Sequence, residues 1–371
     1  MNEGEDLVER RLGRDDFLKL AAVAGGAAFL GRPAELADAA RAQLVAESGR
    51  LQVLDWAGYG YDGGQAMFAQ YVKRYPHNKP RFTYMTNESD ALAKLHAGLK
   101  PDLFRPYVGW VKYFATSGLV QPWNPKLIPN FKYLNPLMVK AGQYKGKQYG
   151  IPEDWGFDAI LYRSDKVHPR AQSWGLLFDQ RYKGRIAWFD DLEMLVVAGL
   201  YLGFKNPWKQ SDDQLKRSQK LLISKKRLVR LIWSSETNLD EAFAAGDIWI
   251  AYAWPNDWVL MKKKKLKVVY MRPKEKPISW VGMLMLLKGT PRYHLAHAYA
   301  NAWSSTKSAK WLEDNYGYGH ANTQARPASS DLLKALQITN PRAVTLPNAY
   351  LDRDIPRRAQ YARLWEQVKS S

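Results

Sequence analysis

The sequence predicts an α/β protein of two lobes, each a mixed, mostly parallel sheet with flanking helices. Three observations carry this. Short β-rich runs alternate with helical patterns twice along the chain, an order that calls for sheets covered by helices. Between the two sets lies Ile151 to Val167, IPEDWGFDAILYRSDKV, which reads as a strand leaving one lobe and entering the other. A second apolar run, MLMLLKGT from Met283, would cross back. Pro152 has no N–H to give a ladder and suits a strand start, and Gly156 permits close backbone approach. Trp155 would then sit at the mouth between the lobes. The same local residues also fit a buried strand of a single domain, with Trp155 in its core. The 371 residues suffice for two lobes of ordinary size.

The elements follow in order. Leu51–Trp56 alternates and is β-rich; a glycine-rich loop, residues 57–64, leads to a helix over 65–75. Arg81–Met85 is the second strand, and Ser89 caps a helix to Leu99. Residues 102–105 form a short strand and 108–117 a helix. In such sheets ligands sit at the carboxyl ends of the strands. That draws attention to Trp56, to Asn87-Glu88-Ser89 and to the segment Tyr107 to Trp110. In the second set, residues 184–189 are a strand ending in Asp190-Asp191-Leu192-Glu193, three carboxylates before a helix. They could bind amines, cap the helix or complement its dipole. Helices follow over 212–225 and 238–245, then a strand over 247–253 running into Trp254-Pro255-Asn256-Asp257. A strand over 268–272, the apolar strand, a helix over 293–313 and a loop holding Tyr318 complete the set. From Asp331 the chain reads as helical.

Composition excludes several chemistries. No cysteine means no disulfide, no thiol catalysis and no Cys-ligated zinc. The six histidines are scattered; His294 and His297 share a helix face, but no HExxH pattern accompanies them, so no metal site is expected. No GxSxG pattern, phosphate loop or metal-spaced acid array is present, so neither catalysis nor a cofactor is expected. The net charge is +19, and beyond residue 40 the balance is 50 basic to 28 acidic residues, or +22. Such a field attracts anions or nucleic acid and opposes a cation at long range. The run Lys262 to Lys265 reads as a solvated helix end, and no nucleic-acid-binding signature accompanies it.

Residues 17–30, FLKLAAVAGGAAFL, form an apolar run after a charged start, shorter than the roughly 20 residues a membrane span needs. With Ala37, Ala39 and Ala40 beyond it, the run has the shape of an export signal; a plain N-terminal helix is the alternative. The segment Gly13-Arg14-Asp15-Asp16-Phe17-Leu18-Lys19 resembles a twin-arginine signal whose second arginine is replaced by Asp15. Periplasmic or secreted location is therefore expected.

Taken together, Trp56, Asn87-Glu88-Ser89 with Ala93-Lys94-Leu95, Pro101-Asp102-Leu103, Ile151-Pro152 with Trp155-Gly156, Asp190-Asp191 with Glu193, Gly246-Asp247 leading to Trp254, Ser279-Trp280, and Gly317-Tyr318 with Asn322 resemble the spermidine/putrescine-binding proteins of ABC importers. The likeness covers residues 50 to 330. It implies the two-lobed periplasmic-binding-protein fold, a hinge, and a small-molecule ligand held between the lobes for a membrane permease. The implied divisions are residues 1–40 as the export segment, 41–157 plus 283–325 as lobe 1, and 158–282 plus 326–371 as lobe 2. The implied walls are Trp56, Trp254, Trp280 and Tyr318; the amine acceptors are Asp190, Asp191 or Glu193, with Glu88 and Ser89 as polar contacts, and Trp155, from its place at the mouth, is a further expected ligand contact. Where the family carries an acid two residues after Trp280, this chain has Gly282, and Asp257 is the expected substitute. After Asp102-Leu103 the family has small and tyrosine residues, where this chain has Tyr107-Val108-Gly109-Trp110. A monomer that binds a polyamine and no nucleic acid is expected. A polyanion binder, or a solute-binding protein for a different small ligand, is the alternative.

Overall fold

A computed structural model describes residues 47, 49–325, 350–351 and 353–371. The expected export segment and the expected helix from Asp331 to residue 349 lie outside the described residues. The strands are β1 (Gln52–Trp56), β2 (Arg81–Met85), β3 (Leu103–Phe104), β4 (Val120–Gln121), β5 (Gln143–Tyr144), β6 (Lys147–Gln148), β7 (Gly150–Arg163), β8 (Ile186–Phe189), β9 (Val229–Trp233), β10 (Ile250–Ala253), β11 (Val268–Met271), β12 (Ile278–Leu287), β13 (Gly319–His320) and β14 (Tyr350–Leu351). The α-helices are α1 (Ala69–Arg74), α2 (Glu88–His96), α3 (Val111–Ser117), α4 (Pro136–Ala141), α5 (Glu193–Tyr201), α6 (Asp212–Lys226), α7 (Glu236–Ala245), α8 (Pro255–Lys263), α9 (Tyr293–Trp303), α10 (Thr306–Tyr316) and α11 (Arg358–Ser370).

The sheet order is β2-β1-β3-β12-β7-β10-β8-β9. β1 pairs in parallel with β2 and β3, and β8 in parallel with β9 and β10, giving two parallel halves. β7 and β12 join them. Residues 150–158 of β7 run antiparallel to β12, whereas residues 159–163 pair with β10 and β11. Twelve of the fourteen β7 residues are buried, so it reads as a continuous run rather than an alternation. Gly156 is required by close approach: a Cβ there would lie 2.7 Å from Trp280 Cζ2.

Several expectations shift. Turns replace the first part of the predicted 65–75 helix, and there Gly64 packs so closely on the Tyr59 backbone that a Cβ would lie 2.7 Å from it. The cap of α2 is Asn87, whose side chain accepts from Asp90 N at 2.8 Å, and not Ser89. The predicted 293–313 helix breaks at Ser304-Ser305, where Ser305 caps α10. β9 was not expected at all; only Trp233 of its five residues is fully buried. Lys262 to Lys265 are exposed at the end of α8, as the solvated-end reading required.

Candidate functional site

The carboxyl ends of β1, β2 and β3 face those of β8, β9 and β10 across the β7–β12 crossing. Two cavities lie there. The larger, about 120 Å³, is lined by Trp56, Tyr59, Tyr84, Tyr107, Trp254 and Tyr318, with Ser234, Ser235 and Glu236 among its polar groups. The smaller, about 30 Å³, is lined by Glu88, Asp158, Asp191 and Glu193, with Tyr107, Trp110, Phe189, Trp208, Trp280 and Arg358. Tyr107 contributes to both.

The aromatic residues form one connected wall. Trp56 stacks on Tyr107 at 5.0 Å and meets Trp254 edge-on at 5.9 Å. Tyr107 leans on Trp280 at 5.1 Å, and Trp280 meets Tyr318 edge-on at 5.0 Å. The three tryptophans are anchored from behind. Trp56 Nε1 donates to Arg105 O, and Trp280 Nε1 donates to Asp158 Oδ1 at 3.0 Å. Trp254 packs edge-on against Trp233 at 5.0 Å and Phe189 at 5.4 Å. Rings fixed this way offer apolar faces and cation–π contact without a large entropic cost on binding.

The carboxylates of the smaller cavity are held by protein donors. Glu88 Oε1 accepts from Tyr107 N at 2.8 Å, and Asp191 Oδ1 accepts from Glu193 N at 2.8 Å. The Tyr252 hydroxyl donates to Asp158 Oδ2 at 2.7 Å and to Glu193 Oε2 at 3.0 Å. Burial first, then Asp158 and Glu193, push the Tyr252 phenol well above its ordinary value, so it stays a donor. Burial also raises the Tyr107 phenol, with Asp158 and Glu88 adding to it. Four carboxylates beside an aromatic wall favour a cationic group. Arg358 of α11 supplies one such group from the protein itself: its guanidinium lies 3.6 Å over the Trp110 ring and donates to Gly109 O.

The structure brings Trp56, Trp254 and Tyr318 to the larger cavity and Glu88, Asp191, Glu193 and Trp280 to the smaller one. It does not bring Asp190, Ser89 or Trp155 to either. Asp190 accepts from Trp365 Nε1 at 2.8 Å and pairs with Lys369 at 2.9 Å, both on α11. Ser89 is exposed on α2. Trp155 is buried in the β7 ladder between Val281 and Gly319, where the glycine makes room for the indole. Asp257 sits behind Trp254, accepting from its backbone N–H at 2.6 Å.

Sequence reasoning missed Asp158 and did not select Tyr107 as a wall. Asp158 follows Phe157 inside the apolar run, and the structure places it in the lining of the smaller cavity. The space of the expected acid at 282 is filled by Asp154: a Cβ on Gly282 would lie 2.0 Å from Asp154 Oδ1. Asp154 in turn faces Arg105 at 3.6 Å and accepts from the Tyr59 hydroxyl.

A two-lobed α/β frame with crossing strands and a walled, acid-lined region where they cross has the form of a solute-binding protein. The model of the bacterial extracellular solute-binding protein family matches residues 66–338, and the chain belongs to that family. The spermidine/putrescine-binding periplasmic protein of Escherichia coli is 23% identical over 352 residues, covering 94% of this chain and 97% of the relative. The putrescine-binding periplasmic protein PotF of the same organism is 24% identical over 310 residues, 77% and 82% of the two chains. Among solved structures, the TpPotD lipoprotein of Treponema pallidum superposes with a TM-score of 0.69 at 18% identity, over 86% of this chain and 99% of that one. MotA from A. tumefaciens B6, in complex with glucopine, gives 0.70 at 14% identity over 86% and 99%. The described residues contain no helix long and apolar enough to cross a membrane.

Proposed function

We propose that this protein captures a polyamine, putrescine- or spermidine-like, between its lobes and hands it to the permease of an ABC importer outside the cytoplasm. The observation that carries the reading is the continuous wall Trp56–Tyr107–Trp280–Tyr318, with Trp254, set beside the carboxylates Glu88, Asp158, Asp191 and Glu193. A chain of methylene groups lies on the rings, and an ammonium group meets the acids. The relatives' names, and their coverage of most of both chains, point the same way.

The lobe division follows the sheet. The proposed lobes are residues 41–157 with 283–325 and 158–282 with 326–371, of which residues 41–46, 48, 326–349 and 352 lie outside the described residues. The change of partners in β7 between Asp158 and Ala159, and the register shift in β12 between Val281 and Met283, support that boundary. Closure is a hinge motion at these two points.

The test is isothermal titration with putrescine and spermidine, with inorganic phosphate and a short oligonucleotide beside them. Saturable amine binding that falls on Glu193→Gln supports the reading. Silence with both amines together with salt-sensitive binding of the anions overturns it.

A further inference from the structure

Sequence spacing gives no metal-like acid array, but the fold assembles one. Glu236 and Asp240 stand one turn apart on α7, and Asp257 lies in the first turn of α8. One oxygen from each carboxylate falls within 4.8 Å of the other two. Asp257 is fully buried; its Oδ2 accepts from Trp254 N, and its Oδ1 receives no hydrogen bond from outside the acid cluster. Asp240 Oδ1 is also buried without a partner. Glu236 Oε1 accepts from the Asn256 amide at 3.0 Å, and Glu236 reaches the larger cavity.

Three carboxylates this close, Asp257 fully buried and Glu236 and Asp240 half-buried, repel one another unless protons or a cation offset their charge. Burial, followed by the Glu236 charge, pushes Asp240 up to about 8, against a hydrogen bond with Asp257 and then the Lys264 charge. Glu236 and Asp257 are also raised, burial being the largest cause for both. Carboxylate oxygens are hard donors, which suit cations of the calcium and magnesium kind.

We propose that Glu236, Asp240 and Asp257 form a site for a hard divalent cation that ties α7 to α8 behind the Trp254 wall. The site stands independently of which solute the cleft holds. Binding costs the cluster its protons and fixes the N-terminus of α8, and with it the indole of Trp254.

The full chain, stripped of metal, is titrated with CaCl2 and MgCl2 by calorimetry and with TbCl3 by luminescence excited through tryptophan. The expected result is one saturable site per chain, weakened about tenfold or more by Asp240→Asn and unchanged by Asp213→Asn on exposed α6. Asp257→Asn should do the same if it folds; Asp240→Asn keeps the test decisive if it does not. No saturable binding at millimolar metal means the cluster holds protons only, and the proposal fails. It fails equally if putrescine displaces Tb³⁺ and itself loses affinity in Asp240→Asn, because the cluster is then an amine subsite.

Discussion

Restoring the family's acid by Gly282→Asp is expected to unfold the protein rather than improve the site. A Cβ at 282 meets Asp154 Oδ1 at 2.0 Å and Asp154 Cγ at 3.1 Å. Asp154 cannot move cheaply, because it accepts from the Tyr59 hydroxyl and faces Arg105. Arg105 already serves Asp55, whose carboxylate it meets at 3.0 Å, and lies 3.8 Å over the Trp303 ring. Burial raises the Asp55 carboxyl to about 6 despite that partner. Overpacking alone, as in Gly282→Ala, costs about 1–3 kcal/mol. A further buried carboxylate with no cation of its own adds about 3–5 kcal/mol, the scale seen when a buried ion pair loses one member. The sum consumes much of the roughly 5–15 kcal/mol that keeps a domain folded. Urea unfolding measures it: Gly282→Ala should shift the midpoint by roughly 1 M, and Gly282→Asp should be unfolded or insoluble. The double variant Asp154→Ala with Gly282→Asp should recover part of the loss by moving the carboxylate instead of adding one. A Gly282→Asp protein with the wild-type midpoint would refute the reasoning.

Other outcomes follow from the site. Asp158→Asn keeps the side-chain volume but removes a charge from the smaller cavity, and should weaken putrescine by about ten- to hundredfold in calorimetry; unchanged affinity would remove Asp158 from the site. Arg358→Ala removes a cation that competes with the ligand's ammonium and should tighten putrescine by about 1 kcal/mol, roughly fivefold; weaker binding would make Arg358 a ligand contact instead. The Asp240 carboxyl is raised to about 8 in the folded protein, above the ordinary aspartate range, so the folded state holds a proton that the unfolded chain releases. Stability from this group is full at low pH and is lost as pH rises toward 8. In metal-free buffer, Asp240→Asn should show less loss of thermal stability between pH 5 and 8 than the wild type; equal loss in both would put the group's titration elsewhere.

The architecture was legible because its signals are local. Alternating β and α runs, the Pro152-to-Gly156 start and the apolar 283–288 run are properties of short windows, and β7 and β12 cross as those windows suggest. The walls Trp56, Trp254, Trp280 and Tyr318 were legible as aromatics at or after strand ends. Polar partners were harder. Asp190 stands beside Asp191 and Glu193 in sequence, yet α11, about 175 residues later, draws it away. Asp158 is hidden in an apolar run because β7 is buried on both faces and carries no clean alternation. Trp155 looked like a cleft residue because Pro and Gly flank it; Gly319, from a distant segment, packs on it instead. β9 escaped notice because its exposed and half-buried residues weaken the strand pattern. The Glu236–Asp240–Asp257 cluster spans two helices, and spacing within one helix reveals only two of its members.

The most direct test is a crystal structure of the protein grown with spermidine. The account predicts the methylene chain against Trp56, Trp254, Trp280 and Tyr318, with an amine nitrogen within hydrogen-bond reach of Asp158, Glu193 or Glu88. Spermidine bound away from these residues, or a cleft that stays empty at saturating amine, would contradict it.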